Sequence, residues 1–385
     1  GVSNRVARVG WGLVAITMLA GQVGYGWWRL GSLPGRPEKE DKPLRVALIQ
    51  GSIDTDFGAD PTRPQRMMEQ YSRLTYEALR KHGPVDLVVW PESMFPLDAV
   101  VLDSDAPTLA EGYARADLVA SQQQFDRLVR RLVQGIQSTP GPDGRIRGGT
   151  WLLLGVVVWH FDERESRRYN SALLFDPTGR LRARYDKMHP VLFGEYVPFG
   201  ETFPWLYRLT PMSNGLTAGE EPVAFDVEGV RFSVSICFES IVPELIRRQV
   251  VELADRGEAP DALINITNDG WFWGSSILDL QLHSAVFRAV ENRLPMLVAA
   301  NTGLSAWILP SGQVVAEGPR HDTGFLLAEV GKLRAARAPS RGNTTAYHRV
   351  GDRLWIGAVG LSLVGVLIGA WQCRRGESRG ESGES

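Results

Sequence analysis

Hydrophobic and polar positions along this chain alternate in blocks that switch between the strand period and the helical one. Leu44–Gln50 is a short apolar run of strand length. Thr62–His82 follows with apolar residues at helical spacing (Met67, Tyr71, Leu74, Ala78) and stops at Gly83-Pro84. Val85–Trp90 then predicts a buried strand ended by Pro91, which completes a strand-helix-strand unit. Ser121–Ile136 repeats the helical pattern, Trp151–Trp159 is a continuous apolar strand, and Asp176-Pro177-Thr178-Gly179 turns Ser171–Phe175 back into Leu181–Tyr185. The second half repeats the alternation: Val223–Val227 and Val230–Ile236 flank a Glu228-Gly229 turn, and Pro243–Leu253 has helical spacing. Strand Ala262–Thr267, helix Leu278–Arg293 and strand Met296–Asn301 come next, then a hairpin across Pro310-Ser311-Gly312 and a last strand, Phe325–Val330. Strands alternating with helices, interrupted by hairpins, predict an α/β fold with mixed sheets and outer helices.

The two ends have a different pattern. Val9–Trp28 is uncharged and closes on Tyr25, Trp27 and Trp28, which suits a membrane-spanning helix with an interfacial aromatic end. Its glycines (Gly10, Gly12, Gly21, Gly24, Gly26) leave a secretory signal peptide open as the rival reading. Leu354–Cys373 is an equally long uncharged run with Trp355 and Trp371 near its ends and Arg374-Arg375 beyond, and is the clearer span of the two. The expected organisation is a transmembrane helix in residues 1–30, a Pro/Gly/charge-rich linker in 31–43, a catalytic domain in 44–350, a second transmembrane helix in 354–373 and a polar tail in 374–385. Gly1 in place of an initiating methionine fits a fragment of a longer protein or a processed product.

Composition narrows the function. The 385 residues suffice for one large domain or two ordinary ones, and a net charge of −2 argues against a nucleic-acid partner held by a general basic field. The 44% hydrophobic content is ordinary for a globular protein, so membrane character is local. The 6 histidines show no metal-ligand spacing, and neither a metal nor a cofactor is expected. Of the 2 cysteines, Cys373 sits at the end of an apolar run, so no stabilising disulfide is expected; Cys237 follows the Val230–Ile236 strand and precedes a helix. A cysteine at a strand-to-helix turn is presented as a nucleophile, with the helix N–H groups favouring its thiolate.

Two further strand ends bear charge: Glu92 in Trp90-Pro91-Glu92-Ser93, and Lys187 in Tyr185-Asp186-Lys187-Met188. Carboxylate, lysine and thiol, in that order, resemble the Glu-Lys-Cys triad of the nitrilase superfamily. Phe193-Gly194-Glu195-Tyr196-Val197-Pro198-Phe199-Gly200-Glu201, Cys237-Phe238-Glu239 and Asn268-Asp269-Gly270-Trp271-Phe272 are similar to motifs of its membrane-bound branch, the apolipoprotein N-acyltransferases. The resemblance covers roughly residues 44–350. It implies a nitrilase-like αββα sandwich flanked by transmembrane helices, in a bacterial inner membrane with the catalytic domain on the extracytoplasmic side. Arginines and lysines flank both spans on both sides, so charge by itself does not set this orientation.

The resemblance also implies chemistry. Acyl transfer through a thiol needs a nucleophile, a base that later acts as acid, and positive charge at the oxyanion, which Cys237, Glu92 and Lys187 would supply. Glu195 is expected to support Lys187, and Glu239 to adjoin the nucleophile or serve a helix's first turn electrostatically. The implied acyl donor is a phospholipid and the implied acceptor a diacylglyceryl lipoprotein; a membrane-tethered amidase using the same triad is the alternative. Trp271, Phe272, Trp205 and Tyr196 are candidates for substrate contact, and the aromatic loop clusters around Trp271 and Trp205 fit either acyl-chain entry or core packing. The chain departs from the family pattern at Leu192, where a proline is usual, at Phe238, where a tyrosine is usual, and in having one span ahead of the domain instead of several.

Overall fold

The computed structural model describes residues 2–32, 42–54, 60–198, 203, 205, 215–272, 275–331 and 345–380. In chain order the elements are α1 (Val2–Ser32), β1 (Leu44–Gln50), α2 (Arg63–His82), β2 (Leu87–Val89), β3 (Ala99–Leu102), α3 (Arg115–Gln137), β4 (Trp151–Phe161), β5 (Ser166–Phe175) and β6 (Leu181–Asp186). They continue through β7 (Ala224–Val227), β8 (Val230–Ile236), α4 (Pro243–Asp255), β9 (Ala262–Thr267), α5 (Ile277–Asn292), β10 (Met296–Ala300), β11 (Ala306–Ile308), β12 (Val314–Glu317), β13 (Gly324–Val330), α6 (Ala346–Val350) and α7 (Arg353–Gly380).

The strands form two sheets, ordered β13-β1-β2-β4-β5-β6 and β12-β11-β10-β9-β8-β7, with β3 alongside β4 at the margin of the first. Their apolar runs are continuous because both faces of each sheet are covered. In β1, Val46 and Leu48 face the space between the sheets while Ala47 and Ile49 face α2; in β9, Ile264 and Ile266 face inward while Leu263 faces the helices beyond. The period of two thus divides one strand between two cores. Met67, Tyr71, Leu74 and Ala78 of α2 join Phe125, Val129, Leu132 and Ile136 of α3 in covering the first sheet. Ile246 and Val250 of α4, with Ala285 and Ala289 of α5, cover the second. The result is the four-layer αββα arrangement of a nitrilase-like α/β fold.

Two features were not legible in the sequence pattern. β3 is a short parallel partner of β4, pairing Ala99 with Val158 through Leu102 with Phe161, and is too brief to show a period. β4 and β5 also run longer than their apolar cores, because their mutual register extends to Phe161 opposite Ser166.

In α1, Val9–Trp28 is long and apolar enough to cross a membrane and is unburied. The described apolar stretch of α7, Ile356–Ile368, is shorter than a span requires. The side chains of Leu354, Trp355, Trp371 and Cys373, on which the reading of a second span also draws, lie outside the described residues.

Candidate active site

Three strand ends at one edge of the sandwich deliver the three side chains singled out above. Beyond β2, Trp90 N–H still donates to Leu153 O at 2.9 Å, after which the chain turns away at Pro91. This turn lies directly on β4: a Cβ on Gly155 would stand 2.3 Å from Pro91 O and 2.6 Å from Glu92 Cα, so only glycine admits it. Glu92 is thereby held buried, and its two oxygens have separate partners. Oε1 accepts from Asn170 Nδ2 at 2.6 Å and from Lys187 Nζ at 3.4 Å, and Oε2 accepts from the Asn268 backbone N–H at 2.9 Å.

Lys187 follows β6 and is 1% exposed. The loop position expected for it is correct, but solvent does not reach the side chain. Its N–H donates to Asn170 O at 2.8 Å, and its Nζ reaches Glu195 Oε1 at 2.7 Å. Burial alone would discharge this amine; the neighbouring negative charges, that of Glu92 first and that of Glu195 with it, outweigh burial and hold the pKa above the ordinary lysine value. Glu195 is itself anchored, its Oε2 accepting from Val191 N–H at 2.7 Å.

Cys237 follows β8, and the turn there differs from the expected one. A 3-10 turn, Cys237–Ile241, separates the strand from α4, and Cys237 has a φ of 55°. A non-glycine residue in the left-handed region costs on the order of 1–3 kcal/mol and persists only where its surroundings hold it. Here Asn265 Nδ2 donates to Cys237 O at 3.2 Å and Ser240 Oγ donates to the same oxygen at 3.3 Å. The electrostatic expectation is also corrected. Burial, then the negative charge of Glu92, push the thiol well above its usual range, and the opposing pull of Lys187 does not reverse this. At rest the sulfur is a thiol, and a base must take its proton.

Glu239 has a larger structural part than a first-turn carboxylate. It is fully buried, and four donors converge on it: Ile236 N–H at 2.7 Å, Met188 N–H at 2.7 Å, His189 N–H at 2.9 Å and Tyr185 Oη at 2.9 Å. It therefore ties the loop carrying Lys187 to the strand end carrying Cys237. Gln249 of α4 completes the tie by donating to Tyr185 Oη at 2.7 Å.

Burial pushes Glu239 up to about 7 from an ordinary 4.5, against the lowering effect of Ile236 N–H. A carboxyl whose folded pKa is raised binds its proton more tightly in the folded state. Its contribution is complete below about pH 4.5 and is lost as pH rises through about 7. Glu239→Gln, neutral throughout, is expected to lower stability at every pH by placing an amide among donors, and to flatten this fall. The change in slope between about pH 5 and about pH 8 should be on the order of 1–3 kcal/mol in denaturant midpoints.

The remaining candidates are placed as follows. Phe238 is half-buried against the core between the sheets. Tyr196 is half-buried, its carbonyl accepting from Phe193 N–H at 2.8 Å. Trp205 is exposed, as are Leu192 and Phe193 in the loop after Lys187. Trp271 and Phe272 belong to a 3-10 turn, Asp269–Phe272, and their side chains lie outside the described residues. So do Phe199, Gly200, Glu201, Pro204, Leu206, Tyr207 and Trp273.

Sequence reasoning missed Asn170, which donates to both Glu92 and Glu195 and whose backbone holds Lys187, and also Tyr185, Gln249 and Asn265. The available signal was polarity inside an apolar strand, and it marked only Asn265, in Ala262–Thr267; Asn170 follows Arg167-Arg168-Tyr169 and precedes Ser171, where a polar residue does not stand out.

The carbon-nitrogen hydrolase family profile matches residues 145–338, half of the chain, including Lys187, Glu195 and Cys237. A protein of Geobacter metallireducens named apolipoprotein N-acyltransferase is 32% identical over 356 residues, covering 92% of this chain and 58% of that protein. One of the same name from Rhodopirellula baltica is 29% identical over 370 residues, covering 90% of this chain and 62% of that protein. The chain thus spans about three-fifths of the length of these relatives. Among solved structures, an amidase from Nesterenkonia sp. aligns over 77% of this chain and 93% of its own, at 19% identity and a TM-score of 0.48. With the profile matching half its length across the strand ends that carry lysine and thiol, this chain belongs to the carbon-nitrogen hydrolase family.

Proposed function

We propose that this chain is the catalytic portion of an apolipoprotein N-acyltransferase, moving an acyl chain from a phospholipid to the α-amino group of a diacylglyceryl-cysteine at a lipoprotein N-terminus. The observation that carries this reading is the buried lysine bracketed by two carboxylates next to a buried thiol. The names of the relatives support the choice of acyl transfer.

Because the thiol rests protonated, Glu92 removes its proton as the sulfur attacks the ester carbonyl of the donor. Lys187 Nζ and a backbone N–H near Phe238 receive the oxyanion. Collapse breaks the carbon–oxygen bond, Glu92 returns the proton to the departing alcohol, and a Cys237 thioester remains. In the second half-reaction the acceptor amine attacks the thioester, the carbon–sulfur bond breaks, and Glu92 carries a proton from nitrogen to sulfur. Neither half requires a cofactor or a metal.

In this reading residues 44–350 are the catalytic unit, and residues 1–30 and 354–373 hold it at the outer face of a bacterial inner membrane. Phosphatidylethanolamine is the donor of preference. Leu192, Phe193, Tyr196 and Trp205, on the loops beyond Lys187, would meet acyl chains, with Trp271 and Phe272 as further contacts.

Intact mass of the protein after incubation with phospholipid of defined chain length, then with a diacylglyceryl-cysteine peptide, tests the reading. A gain of one acyl group that passes to the peptide is the expected result. Discharge of that group to water as free fatty acid, with the peptide unmodified, would instead make this a membrane-tethered hydrolase.

A further inference from the structure

One buried acid of the site has no part in the steps above. Asp269 follows β9, next to Asn268, whose N–H holds Glu92. The parallel register ends on Ile236 paired with Ile266, so Cys237 and Thr267 leave the same end of two neighbouring strands, with Asp269 two residues further on. The Asp269 charge is among those that push the Cys237 thiol up, and Glu92 in turn pushes up Asp269, so the three groups share one electrostatic neighbourhood.

What distinguishes Asp269 is its company. Glu92 and Glu195 share Lys187, and Glu239 has four donors. Asp269, 3% exposed, accepts from Thr267 Oγ1 at 2.7 Å, to which Gln281 Nε2 also points; among the described residues it has no ion-pair partner. Room is made for the carboxylate by Gly303, where a Cβ would stand 1.9 Å from Asp269 Oδ2. Two more buried acceptors without partners belong to residues bordering it. One is Oε1 of Gln281, whose Nε2 is 3.5 Å from Thr267 Oγ1, and the other is Oγ1 of Thr302, which adjoins Gly303. Buried carboxylates are ordinarily paired, and an ammonium group offers the three donors these acceptors lack.

We infer that Asp269, with Gln281, is the seat of the acceptor's primary ammonium group and the first base toward it. The inference rests on the acyl-transfer reading. An α-amino group arrives largely protonated and cannot attack until it loses a proton. The Asp269 carboxylate takes that proton, leaving a neutral amine beside the thioester. Nitrogen bonds to the carbonyl carbon, the carbon–sulfur bond breaks, the second proton passes through Glu92 to sulfur, and Asp269 releases its proton to solvent.

The test is Asp269→Asn in the full chain, which keeps the shape and the Thr267 hydrogen bond. Acyl-enzyme should still form from both phosphatidylethanolamine and phosphatidylglycerol, its rate shifted equally for the two and by no more than about tenfold, because loss of the Asp269 charge also relieves Cys237 and Glu92. Transfer to the peptide amine should fall about 10²-fold or more, while discharge by hydroxylamine, uncharged near neutral pH, should stay within about threefold. Unchanged transfer to the peptide would overturn the inference. So would loss of acyl-enzyme from both donors, which would make Asp269 a residue of the first step, or loss from phosphatidylethanolamine alone, which would assign the ammonium to the donor headgroup. A wild-type protein that forms acyl-enzyme but never acylates the peptide would instead count against the acyl-transfer reading itself.

Discussion

Replacing Cys237 with alanine is expected to abolish acyl-enzyme formation and lower turnover by on the order of 10⁴- to 10⁶-fold. No other described side chain in the site can replace the sulfur, since Glu92, Lys187 and Glu195 are occupied with one another. The substitution should leave the fold intact, because the turn is held through the Cys237 carbonyl by Asn265 and Ser240 and not through the thiol. Glu92→Gln should behave differently. It keeps the acceptor for Asn170 but loses the base, so acylation should be slowed about 10²- to 10⁴-fold without being eliminated. Single-turnover mass measurements separate the two: alanine gives no adduct at any time, glutamine a slow one. A Cys237→Ala protein that still accumulated one acyl group would exclude this cysteine as the nucleophile.

Lys187→Met is expected to impair both activity and stability. In the native site the ammonium lies between Glu92 and Glu195, and its own pKa is raised, so its stabilising contribution is complete at neutral pH and is lost only on passing above the ordinary lysine value of 10.5. With methionine there, two carboxylates bridged by Asn170 face each other without a cation. Breaking a buried pair from one side costs roughly 3–5 kcal/mol, and one carboxylate is then driven to take up a proton. The rate should fall about 10²- to 10³-fold through loss of the oxyanion's partner. The residual activity should rise with pH, as the shared proton is lost and Glu92 can again act as base. Adding Glu195→Gln to Lys187→Met should recover much of the stability and little of the rate. Recovery of both together would mean that the lysine acts by neutralising Glu195 and has no direct part at the oxyanion.

The strands and helices were legible from periodicity because each reports a local fact: which face of that segment meets other apolar groups. β1, β9 and α2 could be read from their own residues, as could the glycine and proline stops. The site was readable only as three charged or reactive residues, each just past a strand, made specific by a resemblance between motifs. Convergence itself is not a local property. Glu92 and Lys187 are 95 residues apart and Glu92 and Asn268 are 176 apart, and only the stacking of the two sheets brings these strand ends together.

Protonation was still less accessible, because it follows from burial and neighbours and not from residue type. From sequence, Cys237 looked like a helix-activated thiolate and Glu239 like a first-turn carboxylate. Packing made the first a protonated thiol and the second a four-donor junction between the Lys187 loop and the nucleophile turn. Gly155 could be seen in the sequence as an exception within an apolar strand and Asn170 could not, and the purpose of both lies in residues distant along the chain that press on them. The sequence by itself determined the elements, their order and the reactive residues available. The tertiary structure decided which of those residues meet and what charge each carries, because both depend on a dielectric and a set of neighbours that exist only when the sheets are stacked.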